Sequence, residues 1–367
     1  MSQKLMLRCI ACDHTMPATL AYRCPDCGGI LEVARQKPEE RDWRRADFVS
    51  DAVTLGEGAT PLRELRPGLL HADFQGQLFV KDETRNPSGS FKDRLVAAAM
   101  SRALELGATG VVSASSGNAG AAAACYAANA GVPAIVVCPE ATPAGKLAQI
   151  LAYGAKLERV PGHYGHSFRH AVTLCAETGY ANLTTTYLNP YGVDALRLIG
   201  QELYQQREGA IPDWIVVPTS SGPLVKGVFQ GFMDAAGKAP RLVAAQAEGC
   251  APIARAFAAG QVDVIGWDEP KTIASGISDP LLAYPEEGRL TLSIIRESKG
   301  VACAVADTSI LEAMIDLARK AGLFCEPTGA TSLAASRDLF MKGEIGSSDT
   351  IICMVTGHGS KDFAAWT

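Results

Sequence analysis

No apolar run in this chain reaches the roughly 20 residues that a bilayer-spanning helix needs, so a membrane protein is not expected. An excess of one charge sign is also missing. The 34 Lys and Arg face 39 Asp and Glu, a net charge of −5, which gives no reason to expect nucleic acid or an anionic membrane as partner. There is no internal repeat and no low-complexity tract, which removes repeat arrays from consideration. The opening Met1-Ser2-Gln3-Lys4-Leu5-Met6-Leu7-Arg8 is too short and too charged for a signal peptide. What the chain does have is 367 residues, 47% of them hydrophobic, enough for two domains and a small module around a sizeable core. It also has eleven cysteines, an odd count. Cys125, Cys138 and Cys353 lie inside apolar runs, as small buried hydrophobes do, and a reducing cytoplasm fits this usage.

Four cysteines open the chain, in Cys9-Ile10-Ala11-Cys12 and Cys24-Pro25-Asp26-Cys27-Gly28-Gly29. Two C-x-x-C pairs have the spacing of a tetrahedral zinc site, and the trailing glycines give a turn that points backbone amides at thiolates. Structural Zn²⁺ on Cys9, Cys12, Cys24 and Cys27 is the expectation. His14 nearby reads as a surface residue. With few basic residues and one aromatic, Tyr22, the ribbon reads as a structural cap and not as a nucleic-acid module. Gln36–Arg45, polar and containing Pro38, reads as a linker. From Val111 onward short apolar runs alternate with helical patterns: strands at 111–114, 133–138, 157–160 and 181–183, with helices at 119–130, 142–153 and 167–178. A second series has strands at 214–217, 241–247 and 351–355 and helices at 225–236, 252–259 and 309–321, with Thr142 and Asp307 as expected helix caps. Such alternation implies parallel sheets in an α/β protein, with ligands at strand C-termini.

Three turns between elements attract attention. After the short strand Leu78–Val80, Asn86-Pro87-Ser88-Gly89 is turn chemistry, Ser90 is a candidate N-cap, and Lys92 begins a helix that runs to Leu106 and stops at Gly107. The positive end of a helix favours a neutral amine, the form that makes a Schiff base with an aldehyde. Taken alone, such a lysine reads as a solvated residue beside Asp93. Ser115-Ser116-Gly117-Asn118 offers hydroxyls and amides at a helix start, which suits a carboxylate, though it also reads as a capping turn. Ser220-Ser221-Gly222-Pro223-Leu224 has the character of an anion cradle at a helix start. His163, His166 and His170 have helical spacing but no carboxylate or cysteine beside them in sequence, so a metal role is the lesser reading.

The segment Asn86-Pro87-Ser88-Gly89-Ser90-Phe91-Lys92-Asp93-Arg94 resembles the cofactor-lysine motif of fold-type II pyridoxal-phosphate (PLP) enzymes, most closely that of the threonine synthase-like family. Ser115–Asn118, Ser220–Leu224, Glu326-Pro327-Thr328-Gly329-Ala330 and Thr356-Gly357-His358-Gly359-Ser360-Lys361-Asp362 match the same family in the same order. Leu55-Gly56-Glu57-Gly58-Ala59-Thr60-Pro61-Leu62 resembles its motif at the active-site rim. The resemblance implies two open, mostly parallel α/β domains with the cofactor in the cleft, preceded by a small zinc ribbon. The expected division is 1–35 for the ribbon, 36–91 with 190–367 for the large PLP-binding domain, and 92–189 for a small mobile domain. By the same resemblance Lys92 is the Schiff-base and catalytic lysine. Ser220, Ser221, Gly222, Pro223 and Leu224 hold the cofactor phosphate. Asn118 meets its 3′-oxygen and Thr356 its pyridine nitrogen. Ser115, Ser116, Gly117 and Asn118 hold the substrate carboxylate, and Glu326 belongs to the cofactor's surroundings. Pro223 removes one amide donor from the cradle, which the serine hydroxyls or Lys226 would replace.

One part of the resemblance fails. The family's site for a substrate phosphate uses a Thr just after the loop asparagine and a Ser and an Arg flanking Asn-Pro-Tyr. This chain has Asn189-Pro190-Tyr191, but Ala119, Tyr187 and Gly192 at those three positions. An Arg–phosphate fork supplies charge-assisted hydrogen bonds that glycine cannot; Arg197, His163 or His166 would have to reach in. The expected activity is elimination or replacement at Cβ or Cγ of an amino acid. The named alternatives are a hydroxy- or diamino-acid dehydratase or ammonia-lyase, a phosphoserine-using enzyme such as cysteate synthase, and a non-enzymatic PLP or zinc-ribbon regulator. The expected partner is a small amino-acid substrate, with a homodimer left open.

Overall fold

Strands that are apolar on both faces pair into parallel sheets here, as buried parallel strands do. The computed structural model describes residues 5–34, 53–162 and 164–366; the expected linker Gln36–Arg45 and His163 lie outside the described residues. The chain divides into two units, one within Met1–Gly58 and Lys92–Leu198, the other within Ala59–Phe91 and Ile199–Thr367.

In the first unit, strands Val111–Ala114, Ala134–Pro139, Lys156–Val160 and Ala181–Asn182 form a four-stranded parallel sheet, with Val111–Ala114 between Ala134–Pro139 and Ala181–Asn182. The Ala-rich helix Asn118–Ala130 packs on it and ends at Gly131, whose φ of 68° is the left-handed stop that glycine adopts without cost. The helix Lys92–Glu105 buries an almost continuous run of side chains, from Asp93 to Ser101 and Ala103. The Cys-rich start is a three-stranded antiparallel ribbon, Met6–Cys9 between Thr15–Pro17 and Leu31–Ala34. By pattern alone, 190–198 would belong with the second sheet. They lie in the first unit because the short helix Pro190–Ala195 packs on helix Lys92–Glu105 and on the ribbon strand Leu31–Ala34.

The second unit holds a six-stranded sheet in the order Val301–Val305, Arg241–Ala247, Trp214–Pro218, Thr350–Val355, Gln77–Asp82, Leu62–Leu65. All neighbours are parallel except Leu62–Leu65, which runs antiparallel at the edge. The helix Pro327–Met341 contributes Ala330, Leu333, Ala334, Ala335 and Leu339 to the main core. Its buried side chains run nearly all round, so it lacks the one-sided period by which an amphipathic helix is recognised. Among the described residues no helix is long and apolar enough to cross a membrane.

Three expected caps are replaced by other arrangements. Pro143, with no side-chain bond, occupies the cap position expected for Thr142. Asp307 is the first residue inside its helix, and its carboxylate accepts from Thr272 Oγ1 (2.5 Å) and Ile273 N (3.0 Å), fastening a distant loop instead of its own helix end. Ser90 lies two residues before the Lys92 helix, fully buried, with no hydrogen-bond partner for its Oγ.

Lys81 and Glu202 form a fully buried ion pair that ties the sheet to helix Arg197–Gln206. Lys81 Nζ also donates to Thr60 O (2.7 Å) and Gln206 Oε1 (2.9 Å). Removing one partner of such a pair leaves an uncompensated buried charge. Lys81→Met should therefore destabilise the protein by about 3–5 kcal/mol, read from urea unfolding, and Lys81→Met with Glu202→Leu should recover most of the loss. A neutral single variant would show that the pair holds nothing.

Candidate active site

In the second unit, the segment after the central strand Thr350–Val355 is held on both sides by backbone bonds. Phe91 N donates to Thr356 O (3.0 Å), His358 N to Gly89 O (2.9 Å), and Ser90 bridges Gly357. On the other side Glu326 N donates to Gly357 O and Gly359 N to Phe324 O, each at 3.1 Å. Three separated sequence motifs, 86–91, 326–330 and 356–361, are thus knitted into one layer. Gly89 turns with φ 90°. A Cβ on Gly329 would press on Val355 and Thr356 N at 3.1 and 3.3 Å. At the centre, Thr356 is 1% exposed and its Oγ1 has no protein partner. His358 accepts at Nδ1 from Ser360 N (3.2 Å), and burial, with Lys361 and Arg85 nearby, holds its pKa below the ordinary histidine value against the pull of Asp82.

The loop Ser220–Leu224 leaves the adjacent strand Trp214–Pro218 and begins helix Pro223–Ala236. Gly222 is its N-cap, with φ 111° and no side-chain bond. A Cβ there would lie 2.0 Å from Thr291 Oγ1, so both conformation and space demand glycine. Thr291 Oγ1 donates to Ser221 O at 2.5 Å. Gln246, fully buried, donates from Nε2 to Thr219 O and Ser220 O (3.4 Å each) and accepts at Oε1 from Ile253 N (2.8 Å) and Ala254 N (3.0 Å). Every polar atom of the Gln246 side chain is spent on shaping this loop and the helix start beside it. Ser221 Oγ, 1% exposed, has no protein partner. Lys226 follows one turn into the helix, half-buried, with its N–H on Gly222 O. Neither Gln246 nor Thr291 is apparent from motifs. Gln246 could have been found as the lone amide in the apolar strand Arg241–Ala247; Thr291 carries no local signal.

In the first unit, Lys92 opens its helix, followed by fully buried Asp93. Ser115, Ser116, Gly117 and Asn118 lie at the C-terminal end of strand Val111–Ala114, all half-buried. Ser115 Oγ accepts from Gly117 N (3.2 Å), and Gly117 caps helix Asn118–Ala130 without a side-chain bond. The capping-turn alternative thus lacks its usual side-chain cap. Glu57, in the rim motif, accepts at Oε2 from Tyr126 Oη (2.7 Å), Leu55 N (3.0 Å) and Thr54 Oγ1 (3.1 Å).

The four ribbon thiols all lie within 4.8 Å of one another. Cys9 and Cys27 sulfurs are 3.5 Å apart, Cys12 and Cys24 3.7 Å, Cys27 and Cys12 3.4 Å. A tetrahedron of sulfurs about 2.3 Å from zinc has edges of about 3.8 Å, so the spacing fits that ion. Burial of Cys9 opposes ionisation, but the amides of Cys12 and Ala11 together with the Cys27 and Cys12 thiols bring its pKa down to about 7. His14 pairs with Asp26 (2.7 Å) and stays out of the cluster. His170 pairs with Glu158 (2.8 Å) and His166 is exposed; among the described residues only the four cysteines have metal-holding geometry.

The model of the pyridoxal-phosphate dependent enzymes matches residues 53–357. The threonine synthase of Methanosarcina acetivorans is 35% identical over 97% of this chain and 92% of its own length. Among solved structures, maize serine racemase superposes with a TM-score of 0.73 at 27% identity, covering 84% of this chain and 90% of that one. A threonine deaminase from T.th. does so at 0.69 and 29%, covering 82% and 92%. This chain belongs to the threonine synthase-like family of pyridoxal-phosphate dependent, fold-type II enzymes. It is a PLP-dependent lyase, performing elimination or replacement at Cβ or Cγ. The second unit suits that cofactor: Ser221 Oγ and Thr356 Oγ1, buried at the ends of adjacent parallel strands, await a polar partner that the protein does not supply. A buried hydroxyl left so costs about 1–3 kcal/mol, which a phosphate oxygen and a ring nitrogen would relieve.

Thr291→Val keeps the shape but frees Ser221 O. Cofactor affinity should fall by up to about tenfold, measured by titrating apoprotein with PLP, and Gly222→Ala should fall further. Unchanged affinity in both would separate this loop from cofactor binding.

Proposed function

We propose that the enzyme acts on an amino acid that carries no side-chain phosphate. Ser220–Leu224 would cradle the cofactor phosphate, with the Ser221 hydroxyl and the Gly222 turn compensating for the amide that Pro223 lacks. Thr356 Oγ1 would meet the pyridine nitrogen. A hydroxyl does not hold a pyridinium proton as a carboxylate does, which suits elimination and replacement over transamination. Asn118 would meet the cofactor's 3′-oxygen, and Ser115, Ser116, Gly117 and Asn118 the substrate carboxylate. When bound, the cofactor supplies a covalent anchor and an electron sink for the pair left by the broken Cα–H bond. Lys92 Nζ holds the cofactor at rest, accepts the Cα proton, and can return a proton to the leaving group or product. Glu326, 5% exposed with its N–H on Gly357 O, would belong to the cofactor's surroundings.

The observation that carries the substrate reading is the packing at the three positions where the family binds phosphate. A Cβ on Gly192 would lie 2.6 Å from Leu95 Cδ2 and 2.9 Å from Leu95 O, so no arginine fits there. Tyr187 is 1% exposed and Ala119 6%; both are buried, and alanine offers no hydroxyl. Arg197 is buried and already faces Asp194 at 3.7 Å. A phosphate unpaired in a closed site costs several kcal/mol, a rate loss of about a thousandfold. The likeness to a serine racemase and a threonine deaminase favours serine or threonine. O-Phosphohomoserine, O-phosphoserine, serine, threonine and diamino acids should therefore be compared by product formation. The phosphorylated compounds should have kcat/KM lower by about a thousandfold, and Lys92→Ala should form no product and no borohydride-stable link to the cofactor. Efficient threonine formation from O-phosphohomoserine would overturn the reading.

Cys9, Cys12, Cys24 and Cys27 would hold one structural Zn²⁺. Metal analysis of Cys9→Ser with Cys24→Ser should find no zinc while the cofactor absorbance stays; retained zinc would refute the site. Eleven cysteines without a disulfide-like pattern support a reducing, cytoplasmic setting.

A further inference from the structure

We propose that the cysteine ribbon is a brace for the substrate-carboxylate loop, acting through Tyr22 and Tyr191 as positioning residues. The inference rests on the reading that Ser115–Asn118 holds the substrate carboxylate. Tyr22 Oη accepts from Asn182 N at 2.6 Å. Asn182 is only 2% exposed, so its amide depends on this phenol rather than on water. Burial keeps the Tyr22 hydroxyl well above its ordinary pKa, and it stays protonated. Asn182 Oδ1 then accepts from Thr184 N (2.9 Å), and Thr184 Oγ1 accepts from Ala114 N (3.1 Å). Ala114 is the residue before Ser115. Three consecutive hydrogen bonds thus run from the ribbon to the residue that enters the loop.

A second route closes beside the first. Asn189 Nδ2 donates to Asn182 O (3.0 Å), and Asn189 Oδ1 caps its helix by accepting from Gly192 N (3.0 Å). Between them Tyr191 Oη donates to Thr19 O of the ribbon at 2.6 Å. The Tyr191 ring sits in the ribbon's own apolar core with Leu7, Cys9, Cys24, Leu31 and Val33. The Arg102 guanidinium, on the helix that begins at Lys92, also lies over it, 5.6 Å from the ring centroid. Two of the four thiols therefore belong to the same packed cluster as a side chain of the Asn189-Pro190-Tyr191 turn. Disturbing the ribbon loosens that turn and strand Ala181–Asn182 together.

The two tyrosines should not weigh equally. Tyr22→Phe leaves a buried amide without an acceptor, whereas Tyr191→Phe leaves Thr19 O on an exposed residue, where water replaces the phenol. Both variants keep the ring and its packing. The test uses holoenzyme, reading hydrogen exchange of 111–118 and 181–192, amino-acid affinity by spectral titration with serine and threonine, kcat at saturation, and cofactor absorbance. Tyr22→Phe should speed exchange in both segments by about tenfold and weaken amino-acid affinity by a similar factor, with kcat within about twofold and the cofactor retained; Tyr191→Phe should do the same by a smaller factor. Unchanged exchange in both variants overturns the brace. Faster exchange with unchanged affinity is resolved by Ser115→Ala. If that variant loses affinity while the tyrosine variants keep it, the brace is overturned. If Ser115→Ala also keeps affinity, the brace stands on the exchange data and the substrate-loop reading falls.

Discussion

The backbone pairing of Thr356–Gly359 with Gly89–Phe91 on one side and Phe324–Glu326 on the other is the constraint on which the second unit's site depends. A segment leaving a central parallel strand has no obligatory partners, and its amides and carbonyls must be satisfied before it can be buried. Here two loops separated by more than two hundred residues in sequence do so. The consequence is a Thr356 whose backbone is fixed on both sides and whose buried hydroxyl has no protein partner. The same logic shapes the neighbouring loop, where Gln246 and Thr291 consume the carbonyls of residues 219–221 and leave the Ser221 hydroxyl over.

Leaving the Thr356 and Ser221 hydroxyls without a protein partner in a well-packed core costs free energy, which a polar ligand would recover. This is the pattern expected of a preorganised site, whose donors are held in place before the ligand arrives. The buried Lys81–Glu202 pair plays a different part. It fastens residues 59–60 to strand Gln77–Asp82 and helix Arg197–Gln206, giving a rigid base from which the Asn86–Phe91 loop departs.

In the first unit the packing of Gly192 on Leu95 removes room for a side chain at a position where the family elsewhere places an arginine. The change is a matter of helix approach rather than of charge alone: helix Pro190–Ala195 lies so close to helix Lys92–Glu105 that only glycine fits. That approach also seats Tyr191 in the ribbon core, so the packing of the two helices and the docking of the ribbon are parts of one arrangement.

By itself, the sequence determined the alternation of strands and helices, the parallel sheets, the tetracysteine cluster and the order of the cofactor motifs. The first three follow from local turn chemistry, apolar periodicity and ligand spacing, each confined to short stretches of chain; the order of the cofactor motifs is legible only through the resemblance to a known family. Val111–Ala114 and Arg241–Ala247 are strands at the bounds their composition implies. Only the tertiary structure decided the rest. Ser90 and Asp307 look like helix caps in sequence, yet one is a buried hydroxyl without a partner and the other clamps a loop 34 residues away. Pro327–Met341, buried nearly all round, has no amphipathic period to betray it. Thr291, Gln246 and Tyr22 act on partners 70, 26 and 160 residues distant. Such contacts arise from how folded elements meet, and no local pattern records them.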